Sequence, residues 1–212
     1  GSHRTSTLSN PFFAFDNGTG RGEVPAADQA RLLSELGYDG IGYTGAQGIP
    51  EMLHALEAHR LKMFSIYVAA HVGDQGASYD PDLPAACQAL RGRDTLIWLT
   101  IQGQVDDQDA QAVQVVQQVA DLAQASGLRV ALYPHVGFYV ASTEDALRIV
   151  HKAQRKNLGV SFNLCHCLQL GNEPKITELL RAALPHLLLV SINGADHTGD
   201  WDRLIQTLDR GE

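Results

Sequence analysis

The sequence predicts an α/β protein, a (β/α)8 TIM barrel of which seven strand–helix units are written in the 212 residues. Short apolar, β-rich runs alternate with amphipathic helical patterns from one end of the chain to the other. The runs are apolar on both faces, as parallel strands covered on both sides require. Turns from helix to strand are short, whereas three strand-to-helix loops are long, at 17–24, 71–82 and 193–201. In a barrel those loops open on the C-terminal face, where barrel active sites sit.

The expected strands are 12–15, 40–43, 62–70, 95–101, 129–133, 159–162 and 187–192. Between them, Ile49, Met52, Leu53 and Leu56 recur at helical spacing, as do Val113, Val116, Val119 and Ala123, and Ala146, Ile149, Val150 and Ala153. Ser142 to Asp145 has the form of a capping box with Asp in place of Glu, Asn172 precedes a helix with Pro174 in its first turn, and Gly37 and Gly127 stop helices. No linker, repeat or low-complexity segment interrupts the pattern, so residues 11–212 read as one domain, and Gly1-Ser2-His3 as the scar of a removed tag. A closed barrel needs eight strands, and a seven-stranded sheet would leave two parallel edges open. An eighth unit is therefore expected outside this chain.

Bulk properties narrow the function. With 24 acidic against 16 basic residues the formal net charge is −8, which repels a phosphate backbone and argues against a nucleic-acid partner. No apolar run reaches membrane-spanning length. The glycines of 17–22 lack the spacing and following helix of a nucleotide-binding turn. Three cysteines build no disulfide framework and fit a reducing compartment, which points to the cytoplasm, although a signal peptide lost with the native start is compatible. A homo-oligomer is also compatible with the sequence.

The polar residues at the strand ends carry the functional reading. Asp16 and Asn17 end the first strand, His71 the third and Gln102 the fourth. Tyr133-Pro134-His135 ends the fifth, and Asn163 with His166 the sixth. Ser191 and Asn193 end the seventh, with Asp196 and His197 beyond. Each has a plain alternative: an Asx turn at Asp16-Asn17, a loop residue at His71, a chain turn at Gln102-Gly103. Together they form the ring of hydrogen-bonding groups that a polyhydroxylated ligand requires. Cys165 and Cys167 read as small apolar fillers, and His54, His59, His151 and His186 as solvated residues on or beside helices.

The segments FFAFDN, YDGIGY, ALYPHVG, SFNLCHC and LLLVSINGAD, in this order, resemble the xylose isomerase-like barrel superfamily across residues 11–210. That group contains sugar isomerases, sugar-phosphate epimerases and endonuclease IV-like proteins. The resemblance implies a divalent cation held by a Glu on the fifth strand, an Asp on the sixth, a His on the seventh and a Glu on the eighth. In this sequence Tyr133 stands at the first position, Asn163 at the second and Ser191 near the third, while the fourth lies outside the chain. Three neutral groups replace two carboxylates and an imidazole, so weak or no binding of that metal is expected. His135 and His166 match the family's ligand-facing histidines.

The resemblance thus implies an isomerase or epimerase acting on a small carbohydrate. His135 and His166 are the expected acid/base pair, and Asp16, His71, Gln102, Tyr133, Asn163 and Asn193 the expected substrate-binding residues. The alternative is a catalytically inactive carbohydrate-binding or regulatory protein on the same scaffold, which the neutral metal positions favour. A repair endonuclease of this fold would need a metal cluster and a basic surface, and the sequence has neither.

Overall fold

The structure is a computed structural model that describes residues 10–104 and 106–192. All seven expected strands form, at β1 (Phe13–Phe15), β2 (Gly40–Thr44), β3 (Lys62–His71), β5 (Leu96–Gln102), β6 (Val130–Leu132), β7 (Leu158–Asn163) and β8 (Leu187–Ser191). A two-residue strand, β4 (Ser78–Tyr79), was not foreseen; it pairs antiparallel with the end of β3, setting His71 opposite Ser78. The long expected loop at 71–82 is therefore partly a hairpin. Among the described residues no helix is long and apolar enough to cross a membrane.

The chain packs as two compact units. The first comprises the described residues up to Thr44 together with Gly48–Phe64. In it β1 pairs parallel with β2, Phe13 opposite Gly40 and Phe15 opposite Gly42. The helices are α1 (Ala26–Glu35), which buries Gln29, Ala30 and Leu33, and α2 (Ile49–Glu57), which buries the expected stripe of Ile49, Met52, Leu53 and Leu56. Phe13 stacks on Phe64 at a centroid distance of 4.8 Å.

The second unit comprises Gly45–Gln47 and the described residues from Ser65 onward. The remainder of β3 pairs parallel with β5, β5 with β6, β6 with β7 and β7 with β8, each in chain order. Helices α3 (Leu83–Ala89), α4 (Asp109–Ala125), α5 (Thr143–Ala153), α6 (Leu164–Gln169) and α7 (Ile176–Ala183) intervene. The buried stripe of α4 is Ala112, Val115, Val116, Val119, Ala120 and Ala123. Val113, expected in that face, is only half-buried, because an unbroken i, i+3, i+4 series runs through Ala112 and Val115 instead. On α5 the predicted capping box is present: the Ser142 hydroxyl accepts from the Asp145 amide, and the Asp145 carboxylate accepts from the Ser142 amide. Such a cap contributes about 0.5–2 kcal/mol.

The segment after Asn163, expected as loop, is helical: Leu164–Gln169 makes six residues of α6 before Gly171 turns the chain with φ 72°. Cys167 packs in a small core with Phe162 and Leu179, which ties α6 and α7 to β7. The β7–β8 ladder shifts register between Val160 and Ser161, so that Ser161 faces Leu189 and Asn163 faces Ser191. At the start of β7, Gly159 lies directly under the next strand, where an added Cβ would overlap the His186 carbonyl oxygen and the Leu188 side chain. Gly159→Ala is therefore expected to destabilise the protein by about 1–3 kcal/mol through overpacking, measurable as a lower denaturation midpoint with unchanged secondary structure.

Candidate active site

The second unit gathers Tyr133, His135, Asn163, His166 and Ser191 at the C-terminal ends of β6, β7 and β8. Two sets of contacts organise them. One is a buried chain of neutral groups. Trp98 on β5 donates its Nε1–H to the Ser161 hydroxyl at 2.8 Å. Ser161 lies 2.8 Å from Asn163 Oδ1 and 3.2 Å from the Leu132 carbonyl, both acceptors for its single proton. Asn163 Nδ2 then donates to Ser191 Oγ at 2.6 Å. Asn163 is 4% exposed. Each end of its amide meets a protein group, so Asn163 links β7 to β8.

The other set is aromatic. Trp98 and Tyr133 stack at 4.0 Å and 9° between ring planes, with Tyr67 edge-on to both. His135 and His166 approach to a centroid distance of 4.1 Å, and His135 also stacks on Phe138 at 4.2 Å. Aromatic faces held this way supply area without mobile side chains.

A single backbone residue contacts both imidazoles. The Val136 carbonyl lies 2.8 Å from His135 Nδ1, and the Val136 amide donates to His166 Nδ1 at 3.4 Å. A carbonyl only accepts and an amide N–H only donates. Neutral His135 therefore carries its proton on Nδ1 and keeps the Nε2 lone pair, whereas neutral His166 carries its proton on Nε2. That Nε2 lies 3.2 Å from the Tyr133 hydroxyl and donates to it, which leaves the phenolic proton to be given elsewhere.

Burial sets the protonation states. His166, 5% exposed, is pushed down to about 4, chiefly by desolvation and secondly by the neighbouring His135. Desolvation also lowers His135, against an opposing contribution from its bond to the Val136 carbonyl. Burial raises the Tyr133 phenol well above its ordinary range, so it remains a hydrogen-bond donor at neutral pH.

The loop carrying His135 is pinned from outside. Tyr139 donates to Asp109 at 2.7 Å and accepts from the Gln108 amide at 2.9 Å. Arg148 adds two bonds to Asp109 and one to Asp145. These partners, the Arg148 guanidinium first, hold the Asp109 carboxyl far below the usual range. Sequence reading missed this lock and the Trp98–Ser161 link, because neither has a local motif.

The other expected residues are placed as follows. His71 and Gln102 are register neighbours at the end of the β3–β5 ladder, His71 exposed and Gln102 half-buried. Gly103 follows with φ 148°, and an added Cβ would meet the Val72 carbonyl, so glycine is required at this rim turn. Asp16 belongs to the first unit. It is 2% exposed, accepts from the Thr44 amide at 2.7 Å and the Thr44 hydroxyl at 2.8 Å, and pairs with Arg21 at 3.5 Å. There it lines a cavity of about 400 Å³ with Arg21, Tyr43 and Glu51. Asn193, with Asp196 and His197, lies outside the described residues.

The chain belongs to the xylose isomerase-like TIM barrel family, whose model matches residues 30–211. No curated protein matches it. Among solved structures it is similar to a 3-keto-D-glucoside 4-epimerase, YcjR, from E. coli, with 17% identity over 88% of this chain and 83% of that one and a TM-score of 0.63. It is also similar to the probable 3-DHS dehydratase AsbF from Bacillus anthracis, with 14% identity over 96% and 90% and a TM-score of 0.71. A third is a D-allulose 3-epimerase from Methylomonas sp. in complex with D-allulose, with 17% identity over 94% and 80% and a TM-score of 0.70.

The divalent cation that the family resemblance implies does not fit these residues. Its positions hold a phenol with a raised pKa, an amide whose oxygen and nitrogen are both engaged, and the hydroxyl that accepts from that amide. Hard cations favour anionic oxygens, and among the described residues no three His, Cys, Asp or Glu groups converge.

The buried imidazole makes a stability prediction. Because the folded pKa of His166 lies below its ordinary 6.5, the unfolded chain binds the extra proton between those values. The contribution is fully present above pH 6.5 and is lost as pH falls toward 4, amounting to roughly 3 kcal/mol. Denaturation midpoints measured from pH 7 to pH 4 should fall steeply in the parent protein and less in His166→Gln; parallel curves would refute the assignment.

Proposed function

We propose that the protein catalyses proton transfer on a small, uncharged carbohydrate, as an isomerase or epimerase, with His135 as the base. The observation that carries this reading is the Val136 contact pair, which leaves His135 Nε2 with its lone pair and engages His166 at Nδ1, while Tyr133 takes the other nitrogen of His166. Similarity to two sugar epimerases of the same fold supports the substrate class.

In this mechanism His135 Nε2 removes a proton from the carbon beside a carbonyl, and the electron pair moves toward the carbonyl oxygen. Tyr133 gives that oxygen the phenolic proton as a hydrogen bond, and His166 Nε2–H supports the phenol from behind. For isomerisation the protonated His135 returns its proton to the former carbonyl carbon, while the hydroxyl on the first carbon becomes the new carbonyl and its proton passes to the former carbonyl oxygen. One free imidazole favours this one-base isomerisation within a face of the substrate; epimerisation would return the proton to the original carbon from the opposite face and would need a second acid there. His71 and Gln102 are assigned to hydroxyl groups, and Tyr67 and Tyr133, backed by the buried Trp98, to the apolar face of the sugar. No step uses a metal.

The roles are separable. With ketose and aldose sugars as probes in heavy water, the parent protein should place deuterium at the carbon beside the carbonyl. His135→Gln should slow this by about 10²–10⁴-fold. Tyr133→Phe should lower kcat more than it raises KM, because the hydrogen bond strengthens only as charge develops. The neutral chain of Trp98, Ser161, Asn163 and Ser191 favours a second reading, a carbohydrate-binding protein without turnover. That reading predicts saturable sugar binding with no deuterium uptake.

A further inference from the structure

At the opposite end of the same strands, the second unit has a cavity of about 460 Å³ whose lining carries basic groups and no carboxylate side chain. Arg129 immediately precedes β6, His151 lies in the last turn of α5, Arg155 and Lys156 precede β7, and His186 precedes β8. His151 and His186 meet edge to face at 5.1 Å. In a chain with 24 Asp and Glu against 16 Lys and Arg, three Lys or Arg side chains and two His from four segments around a cavity lined by no carboxylate side chain depart from the background charge. The C-terminal end of α5 accounts for a basic residue at His151, since cations are favoured there. It does not account for Arg129, Lys156 and His186, which come from other segments.

The cations are not equally committed. Arg155 gives two bonds to Asp121 and one to the Ala153 carbonyl, so it shapes the wall. Arg129 meets Asp94 only through one exposed 3.4 Å contact, of the kind that contributes little. Lys156 is exposed. We propose that this cavity binds a small phosphate-bearing anion, with Lys156 and Arg129 supplying the charge and His151 and His186 further donors. The volume suits a small phosphomonoester. Leu158 lines the cavity and Asn163 ends the same strand at the candidate active site, so the two sites stand about 17 Å apart along β7. The anion is thus a ligand separate from the carbohydrate proposed above, and the inference stands whether or not that reading holds.

Inorganic phosphate is the probe, titrated at constant ionic strength against sodium chloride. The parent protein should show saturable broadening of the phosphorus resonance and a saturable rise in Tm. Arg129→Gln combined with Lys156→Gln should weaken the apparent affinity by about tenfold or more, as expected for lost charge-assisted bonds. His135→Gln should leave it unchanged. Lys156→Gln alone, at an exposed position, gives the same directional test should the double variant fold poorly. Phosphate effects no larger than those of chloride would overturn the proposal. So would effects that survive removal of both cations, or that disappear only with His135→Gln.

Discussion

The chemistry of the candidate site depends on the backbone of Val136. Its carbonyl and amide are spaced to reach one nitrogen of each imidazole, and neither can exchange donor for acceptor. Two histidines of the same type thereby acquire different roles: His135 with an open Nε2, His166 with its Nε2–H turned to Tyr133. A side-chain partner such as a carboxylate would fix a tautomer too, but it would also add negative charge and raise both imidazoles. The peptide group fixes orientation without that charge. Burial therefore determines the protonation state and drives both histidines down.

Asn163 extends the same logic. A carboxylate at this position, facing Ser161 and Ser191, would be a buried anion beside the imidazole pair, stabilised by a cation or by protonated histidine. The amide instead satisfies the Ser161 and Ser191 hydroxyls with no net charge. The Trp98–Ser161–Asn163–Ser191 chain thus crosses β5, β7 and β8 as a neutral network, of the kind that stabilises when every member is satisfied. The outer lock of Asp109, Tyr139 and Arg148 is built differently. It sits nearer solvent, where a charged network is cheaper to maintain, and it is built on salt bridges.

Much of this was legible in the chain. The seven strands and the α2 and α5 faces are local patterns, and pattern alone placed them. Tyr133, His135, Asn163, His166 and Ser191 were legible as a group because parallel strands deliver their C-terminal ends to one rim. What each residue does was not. The role of Asn163 depends on Ser161, two residues back on the same face of β7, and on Ser191 on the next strand, 28 residues away in sequence. The helix at Leu164–Gln169 is too short to show a period. His186, read as solvated, is half-buried against His151, since the contact joins a helix end to a strand start.

The two ends of the second unit differ in charge, and that difference has a physical consequence. At the C-terminal ends of its strands the groups in contact are imidazoles held neutral, a protonated phenol and an amide. A phosphate moved from water onto such groups would lose its hydration without gaining a counter-charge, at a cost that hydrogen bonds alone do not offset. A hydroxylated ring, the ligand proposed for this end, loses far less. At the N-terminal ends the balance reverses: Lys156 and Arg129 offer charge, and no carboxylate lines the cavity to oppose an anion. On the two readings proposed above, one parallel sheet discriminates between neutral and anionic ligands by presenting them with opposite ends. The discrimination needs no movement, because it arises from which residues precede each strand and which follow it.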